Sequence, residues 1–297
     1  MIVYVLTIAA AIIVAVGEVV QQRMAAQAPP ETNLSLRLLV WLVQQPRWLM
    51  GVAFSFAGNV ILATALSMGS VTVVEAVFVA RLLFALAIAV LWERQRLPNR
   101  DALGSLAITI GLVVFLVAAH PVAGPLEVPP FRWVVGGGGI VLFAVVLAVI
   151  ASRLGPVRKA VLLGTGAGAL FGLQAALMKG ATHLLSTSGV LGLLASWRGY
   201  VVVAVAVLGM LLVQSAFEAA PLPASYPAVV TTELLAGVFV GVWLLGGTID
   251  LDAFSLGLFL PALGLMIVGV YRLTTSPLVT GYHRPNSRST ANQDGNE

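Results

Sequence analysis

Three ionisable residues interrupt apolar runs in which a charge is costly: Glu18 in "AVGEVVQQR", Arg81 in "SVTVVEAVFVARLLFALAIAVLWER" and Glu233 in "PLPASYPAVVTTELLAGVFVGVW". An unpaired Arg or Asp at the centre of a membrane helix costs roughly 2.5–3.5 kcal/mol on insertion scales. Such residues persist by pairing, by facing a water-filled cavity, or by serving a solute pathway. Arg81 and Glu233 are complementary, and a pair between them is the leading expectation. That pair is either opened or shared when a solute binds, or it is a permanent bond that fixes helix register. Glu18 adds a second carboxylate, suited to titrating a proton, binding a cation, or reaching water through a vestibule. Gln21 and Gln22 follow it at spacings of three and four, which places them on its helix face.

A weaker tier surrounds these three. Gln22, Asn59, Gln174 and Gln214 either line the same cavity or bond between helices. Glu75 and Glu218 lie close to helix ends, where an interfacial role competes with a role in the site, and Glu75 also benefits from a helix N-terminal dipole.

The elements that must position these side chains are membrane spans. The chain is 59% apolar and 9% charged, with a mean hydropathy of +1.00, whereas about a quarter of a soluble domain is charged. Nine segments are long enough, or nearly so, to cross a hydrocarbon core of about 30 Å: 2–24, 47–66, 71–92, 102–119, 131–151, 160–181, 198–217, 221–244 and 253–273. The segment "NLSLRLLVWLVQQ" before Pro46 is too short to span and reads as an amphipathic interfacial helix or a short extra span. The expected fold is therefore an all-α polytopic membrane protein with about nine transmembrane helices, ten if 34–46 is counted. The first segment starts at Ile2 without a basic leader and contains Glu18, so it reads as a span and not as a cleaved signal.

Basic residues lie mostly in short loops, so the net charge of +4 speaks for orientation and not for nucleic acid. Arg23, Arg37, Arg47, Arg94, Arg96, Arg100, Arg153, Arg158, Lys159, Arg272, Arg284 and Arg288 fall on one face; the opposite face has Arg132, Lys179 and Arg198. The expectation is a multi-pass protein of the cell (plasma or inner) membrane, with its N-terminus outside and its C-terminus cytoplasmic. The polar tail 276–297 is expected to be disordered in the cytoplasm. The absence of cysteine excludes disulfides and thiolate metal sites. Gly164, Gly168 and Gly172 recur every fourth residue and, with the run Gly136 to Gly139, read as helix-packing surfaces and not phosphate loops. Pro221, Pro223 and Pro227 crowd the start of span eight and Pro261 interrupts span nine, which frees carbonyl groups for a cavity.

A period of 151 residues aligns Arg47 with Arg198, Trp92 with Trp243 and Asp101 with Asp252. It sets "ALSMGSVTVVEAVFVARLLFALAIAVLW" over "AFEAAPLPASYPAVVTTELLAGVFVGVW", placing Arg81 opposite Thr232 and Leu82 opposite Glu233. Span one then equates with span six, an odd number of crossings away, so the second copy is inverted. This divides the chain into a first repeat (1–120), a linking span (121–158), a second, inverted repeat (159–275) and the tail (276–297). Inverted repeats hold a solute site near the bilayer midplane and alternate access around it.

The leading function is accordingly a secondary transporter of a small solute, whether a metabolite, an amino-acid-like or an amphipathic compound. No cofactor is implied, and a homodimer remains open. Enzyme motifs are absent: His120, His183 and His283 are scattered, and Asp250 with Asp252 makes a lone pair in a loop. A non-transporting structural membrane protein is the alternative of a different class.

The run "PRWLMGVAFSFAGNVILATALSMGSVTVVEAVFVARLLFALAIAVLWERQRLPNRDALGSLAITIGLVVFLVAAH", with "LQAALMKGA" and "SAFEAAPLPASYPAVV" in the second half, resembles the drug/metabolite transporter (DMT) superfamily. Within it the likeness is to the EamA-like carriers and most to the NIPA-type branch, known as magnesium transporters. The resemblance implies a secondary carrier and, for that branch, Mg²⁺, for which Glu18 and Glu233 would be the ligands. Mg²⁺ sites use oxygen ligands, and a central Arg81 opposes a dication unless Glu233 neutralises it, so the small solute ranks first and the divalent cation second.

Overall fold

The computed structural model of the chain describes every residue except 69–73, 75–76, 93–97, 120–128, 245, 247–252, 277–278 and 280–297. Glu75, the acidic and basic cluster Glu93, Arg94 and Arg96, the pair Asp250 and Asp252, and nearly all of the tail lie outside the described residues. Among the described residues, eight helices are long and apolar enough to cross a membrane. The chain is an all-α polytopic membrane protein.

The helices are α1 (Ile2–Ala25), α2 (Leu36–Val43), α3 (Pro46–Met68), α4 (Arg81–Trp92), α5 (Asn99–Ala119), α6 (Gly138–Ala151), α7 (Pro156–Ala195), α8 (Trp197–Ala219), α9 (Leu222–Phe239) and α10 (Ala253–Thr274). A wider π-helical turn at Trp133–Gly137 leads into α6, and another at Val240–Leu244 extends α9. Several boundaries have local causes. Ser35 and Ser196 accept hydrogen bonds from the backbone N–H of Arg37 and Arg198, which caps α2 and α8. Pro46 and Pro156 open α3 and α7, where the missing N–H is harmless.

Three expectations need correction. The segment 71–92 is not one regular helix to its end: Val79 and Ala80 form a turn, and α4 begins at Arg81. The tight i to i−3 bonds from Ala80 to Val77 and from Leu82 to Val79, both 3.1 Å, mark the break. No glycine or proline lies between residues 77 and 92 to signal it. The segment 160–181 is only part of α7, whose 40 residues continue to Ala195 across a break at Gly189 (φ 68°, ψ −172°). That φ is open to glycine because it has no Cβ to clash. Pro261 does not interrupt its span, since α10 continues through it.

The helices pack in three principal sets, α1 against α3, α7 against both α8 and α9, and α5 against α10. The two halves of the chain meet most extensively where α5 packs against α10, and also where α1 touches α8 and α9 touches α4 and α5. One continuous core, including Leu82, Leu86, Phe115, Leu170, Phe217 and Val229, joins them. In a bilayer such packing is driven by close fit and interhelical hydrogen bonds, because lipid tails are as apolar as leucine. Helices α3 and α8 are each 23 residues long, and their starts and ends lie 151 residues apart.

Candidate functional site

Arg81 and Glu233 meet at the junction of the halves. Nη2 of Arg81 donates to Oε2 of Glu233 at 2.7 Å. The turn at Val79 and Ala80 makes Arg81 the first residue of α4. The guanidinium also stacks over Phe78, 4.7 Å from the ring centroid. Side-chain exposures of 14% for Arg81 and 33% for Glu233 show that the pair is not sealed inside protein.

Glu233 is held by glycine contacts on its other side. A Cβ on Gly168 would lie 2.4 Å from the Val229 carbonyl oxygen and 2.9 Å from the Glu233 nitrogen. One turn on, a Cβ on Gly172 would lie 2.8 Å from the Glu233 carbonyl oxygen. The stripe is thus a packing surface, and what it packs is the backbone that presents Glu233.

Glu18, half-buried on α1, lies within Coulombic range of both Arg81 and Glu233. Tyr226, only 2% exposed, lies within range of all three charges. Two buried polar atoms here, Arg81 Nε and Tyr226 OH, have no hydrogen-bond partner among the described residues. Leaving such a group unsatisfied costs about 1–3 kcal/mol. A polar solute that satisfied them would recover part of that cost on binding. These side chains offer a guanidinium and a phenol as donors and carboxylates as acceptors.

Tyr226 and Phe78 were not among the sequence candidates. Tyr226 had a legible signal, since it precedes Glu233 by seven residues and so shares its helix face. Phe78 had none, because an aromatic in an apolar run is unremarkable. Pro227, inside α9 and buried, leaves a backbone carbonyl without its helical donor in the same stretch.

The weaker tier divides. Gln174 is half-buried on α7, two residues beyond Gly172. Gln214 is fully buried and belongs to a separate relay that joins the halves. Trp48 Nε1 donates to Gln214 Oε1 at 3.2 Å, Gln214 Nε2 to Gln21 Oε1 at 2.9 Å, and Gln21 Nε2 to Ser55 Oγ at 3.0 Å. Glu218, 1% exposed at the end of α8, accepts from Asn33 Nδ2. The same Asn33 amide donates to the Ser215 carbonyl at 3.0 Å, and the Leu34 N–H to Ser215 Oγ at 3.1 Å. Glu218 therefore fastens the loop after α1 onto α8. Asn59 is exposed and donates to the Ser55 carbonyl of its own helix at 2.8 Å, a bond within α3 and not between helices. Gln22 does not share the site with Glu18; it lines a groove around Arg23 and Arg47. The 100° between successive helix residues separates Gln21 and Gln22 into these two surroundings. Among the described residues no three acidic, histidine or cysteine side chains gather closely enough to hold a metal ion.

The relay carries a prediction. Gln214→Leu strands the Trp48 indole N–H and the Gln21 amide, and should lower unfolding stability by about 1–3 kcal/mol while solute affinity stays within about two-fold of wild type, roughly 0.4 kcal/mol. Thermal unfolding beside a binding isotherm on the same preparation checks both halves of that expectation.

The chain is similar to an uncharacterized protein of Corynebacterium glutamicum, 27% identical over 277 residues, which cover 91% of this chain and 94% of that one. No family profile matches the chain, and no solved structure does. The likeness extends nearly end to end and assigns no activity.

Proposed function

We propose that the chain is a secondary transporter that moves a small solute by alternating access around Glu18, Arg81 and Glu233. The observation that carries this reading is the 2.7 Å Arg81–Glu233 bond, which joins α4 of one half to α9 of the other and leaves neighbouring polar atoms unsatisfied. A bond across two halves is broken or loosened when they rock, and a polar solute supplies the replacement contacts. The helix break at Arg81 supports the same reading, because carriers place interrupted helices at their midplane sites.

The halves are read as inverted repeats of the drug/metabolite transporter type, an EamA-like arrangement. The matched lengths of α3 and α8 support this, as do the equivalent pairings of α1 with α3 and of α7 with α8. On this reading the end of the bundle with Arg23, Arg47 and Arg100 is cytoplasmic, in a cell membrane. The chain carries out no covalent chemistry.

A divalent-cation carrier is the second reading, favoured by the approach of Glu18 and Glu233 to a common guanidinium. One experiment separates the two. Purified protein is screened by thermal shift and proteoliposome flux against a metabolite panel and Mg²⁺, then again as Arg81→Gln. The solute reading expects stabilisation by an organic solute that Arg81→Gln removes. A Mg²⁺ response that Arg81→Gln strengthens overturns the ranking. If replacing Glu18, Arg81 and Glu233 together leaves every flux unchanged in folded protein, the chain is not a transporter.

A further inference from the structure

Polar bonds between the two halves are unevenly spread along the bundle. The Arg81–Glu233 pair lies at mid-depth, roughly 16 Å along α9 from Leu222. The other polar bonds between described residues of the two halves lie closer to the end read above as cytoplasmic. Gln21 holds Gln214 of α8, and nearer that end Asn33 and Leu34 hold Ser215 and Glu218. Burial follows the same division. Every residue of α8 from Leu212 to Ala219 and of α9 from Leu222 to Val230 is buried, whereas α9 is half-buried on all sides over 231–238. The stretch between the ion pair and the cytoplasmic end is therefore the sealed one.

The loop after α1 fastens that seal from the other half of the chain. The Asn33 amide donates to the Glu218 carboxylate and to the Ser215 carbonyl, and the Leu34 N–H donates to Ser215 Oγ. Among the described residues, Leu34 is the only one other than glycine with a positive φ, 57°. A bulky side chain rarely adopts that conformation, which persists only where the surroundings hold it. At Leu34 the second half holds it, through the N–H bond to α8, while its side chain packs against the core. Release from α8 therefore relieves strain, and at the end of the bundle water can replace each lost partner.

We propose that the Asn33–Leu34 clasp on α8 is the cytoplasmic gate of the carrier. The gate is closed in this structure and seals the solute path on the cytoplasmic side of Glu233; it opens when the halves rock and the loop leaves Ser215 and Glu218. This inference rests on the transporter reading above and adds to it which end is shut and what shuts it. A loop that only braced the fold would need neither a strained residue at its contact nor a fully buried helix stretch behind it.

The chain has no cysteine, so an introduced thiol reports without interference. Val230→Cys places one on the helix face of Tyr226 and Glu233, between the ion pair and the cytoplasmic end. Ala118→Cys places one at the opposite end of the bundle, near the end of α5, at a site just as buried. Alkylation of the full-length protein in lipid nanodiscs by a water-soluble maleimide is timed with and without Asn33→Ala. Asn33→Ala should speed the reaction at Val230→Cys at least about five-fold, roughly 1 kcal/mol in the opening equilibrium, and leave Ala118→Cys within about two-fold. Equal acceleration at both thiols would mean general loosening, and acceleration at neither would mean that the clasp does not seal the path; each overturns the gate. A second variant, Asn33→Cys with Glu218→Cys, is bridged in proteoliposomes by a short, reducible, thiol-specific cross-linker. Solute flux should then fall at least about ten-fold, roughly 1.4 kcal/mol, and return on reduction, whereas undiminished flux through bridged protein overturns the gate. The two readings fail separately. Wild-type protein that moves no solute ends the transporter reading, while wild-type flux beside an unresponsive Val230→Cys ends the gate alone.

Discussion

Arg81→Gln is expected to abolish solute flux and to lower stability by about 3 kcal/mol, the low end of the range for breaking a buried ion pair. The low end applies because Glu233 is one third exposed, so the stranded carboxylate keeps some access to water. Glu233→Gln should lose flux as well, with a smaller stability loss, since Glu18 still lies within Coulombic range of the guanidinium. The decisive variant is the swap Arg81→Glu with Glu233→Arg. It recreates an ion pair, so most of the stability returns. It also moves the guanidinium from the start of α4 to the middle of α9 and away from Phe78, and it puts a carboxylate at a helix N-terminus beside Tyr226. A site that reads a solute by the placement of its donors should stay inactive after that exchange. Proteoliposome flux and thermal unfolding on the same preparation give the answer, and recovery of both would make the pair a structural bond and end the site reading.

How much of this was legible in the sequence depended on which physical rule set each feature. The spans were legible because bilayer thickness fixes their length, and α3 and α8 start within a residue of the expected positions for that reason. The meeting of Arg81 and Glu233 was legible because two complementary charges at matched depth have few alternatives in hydrocarbon. The break before Arg81 was not, since no glycine or proline lies between residues 77 and 92 to mark it. The partners of Gln21, Gln22 and Asn59 were hidden for a related reason. Helical spacing tells which residues share a face, and it does not tell what the face meets, so one helix sends Gln21 to Gln214 and Gln22 to a groove at its end. The full burial of Glu218 follows from the loop at Asn33, whose docking onto α8 no periodicity encodes.

Gly168→Ala should destabilise the protein by about 1–3 kcal/mol, the usual cost of overpacking, although the same exchange favours an exposed helix by about 1 kcal/mol. The sign follows from what the added methyl meets. At Gly168 it meets the Val229 carbonyl oxygen at 2.4 Å and the Glu233 nitrogen at 2.9 Å. These are backbone atoms of α9, which cannot rotate aside as a flexible side chain can, so α9 itself must move away from α7. Gly138 provides the contrast, because a Cβ there has nothing within 4 Å, and Gly138→Ala should be neutral or mildly stabilising. The displacement at Gly168 carries Glu233 with it and lengthens a 2.7 Å bond, so flux should fall beyond what the remaining folded fraction explains. Combination with Arg81→Gln separates position from mere stability. If Gly168 acts by placing Glu233, the two losses overlap and the double variant is less destabilised than the sum, a coupling of the kind contacting residues show. Strict additivity, or a Gly168→Ala protein as stable and active as Gly138→Ala, would mean that the close approach of α7 and α9 does not set the geometry of the pair.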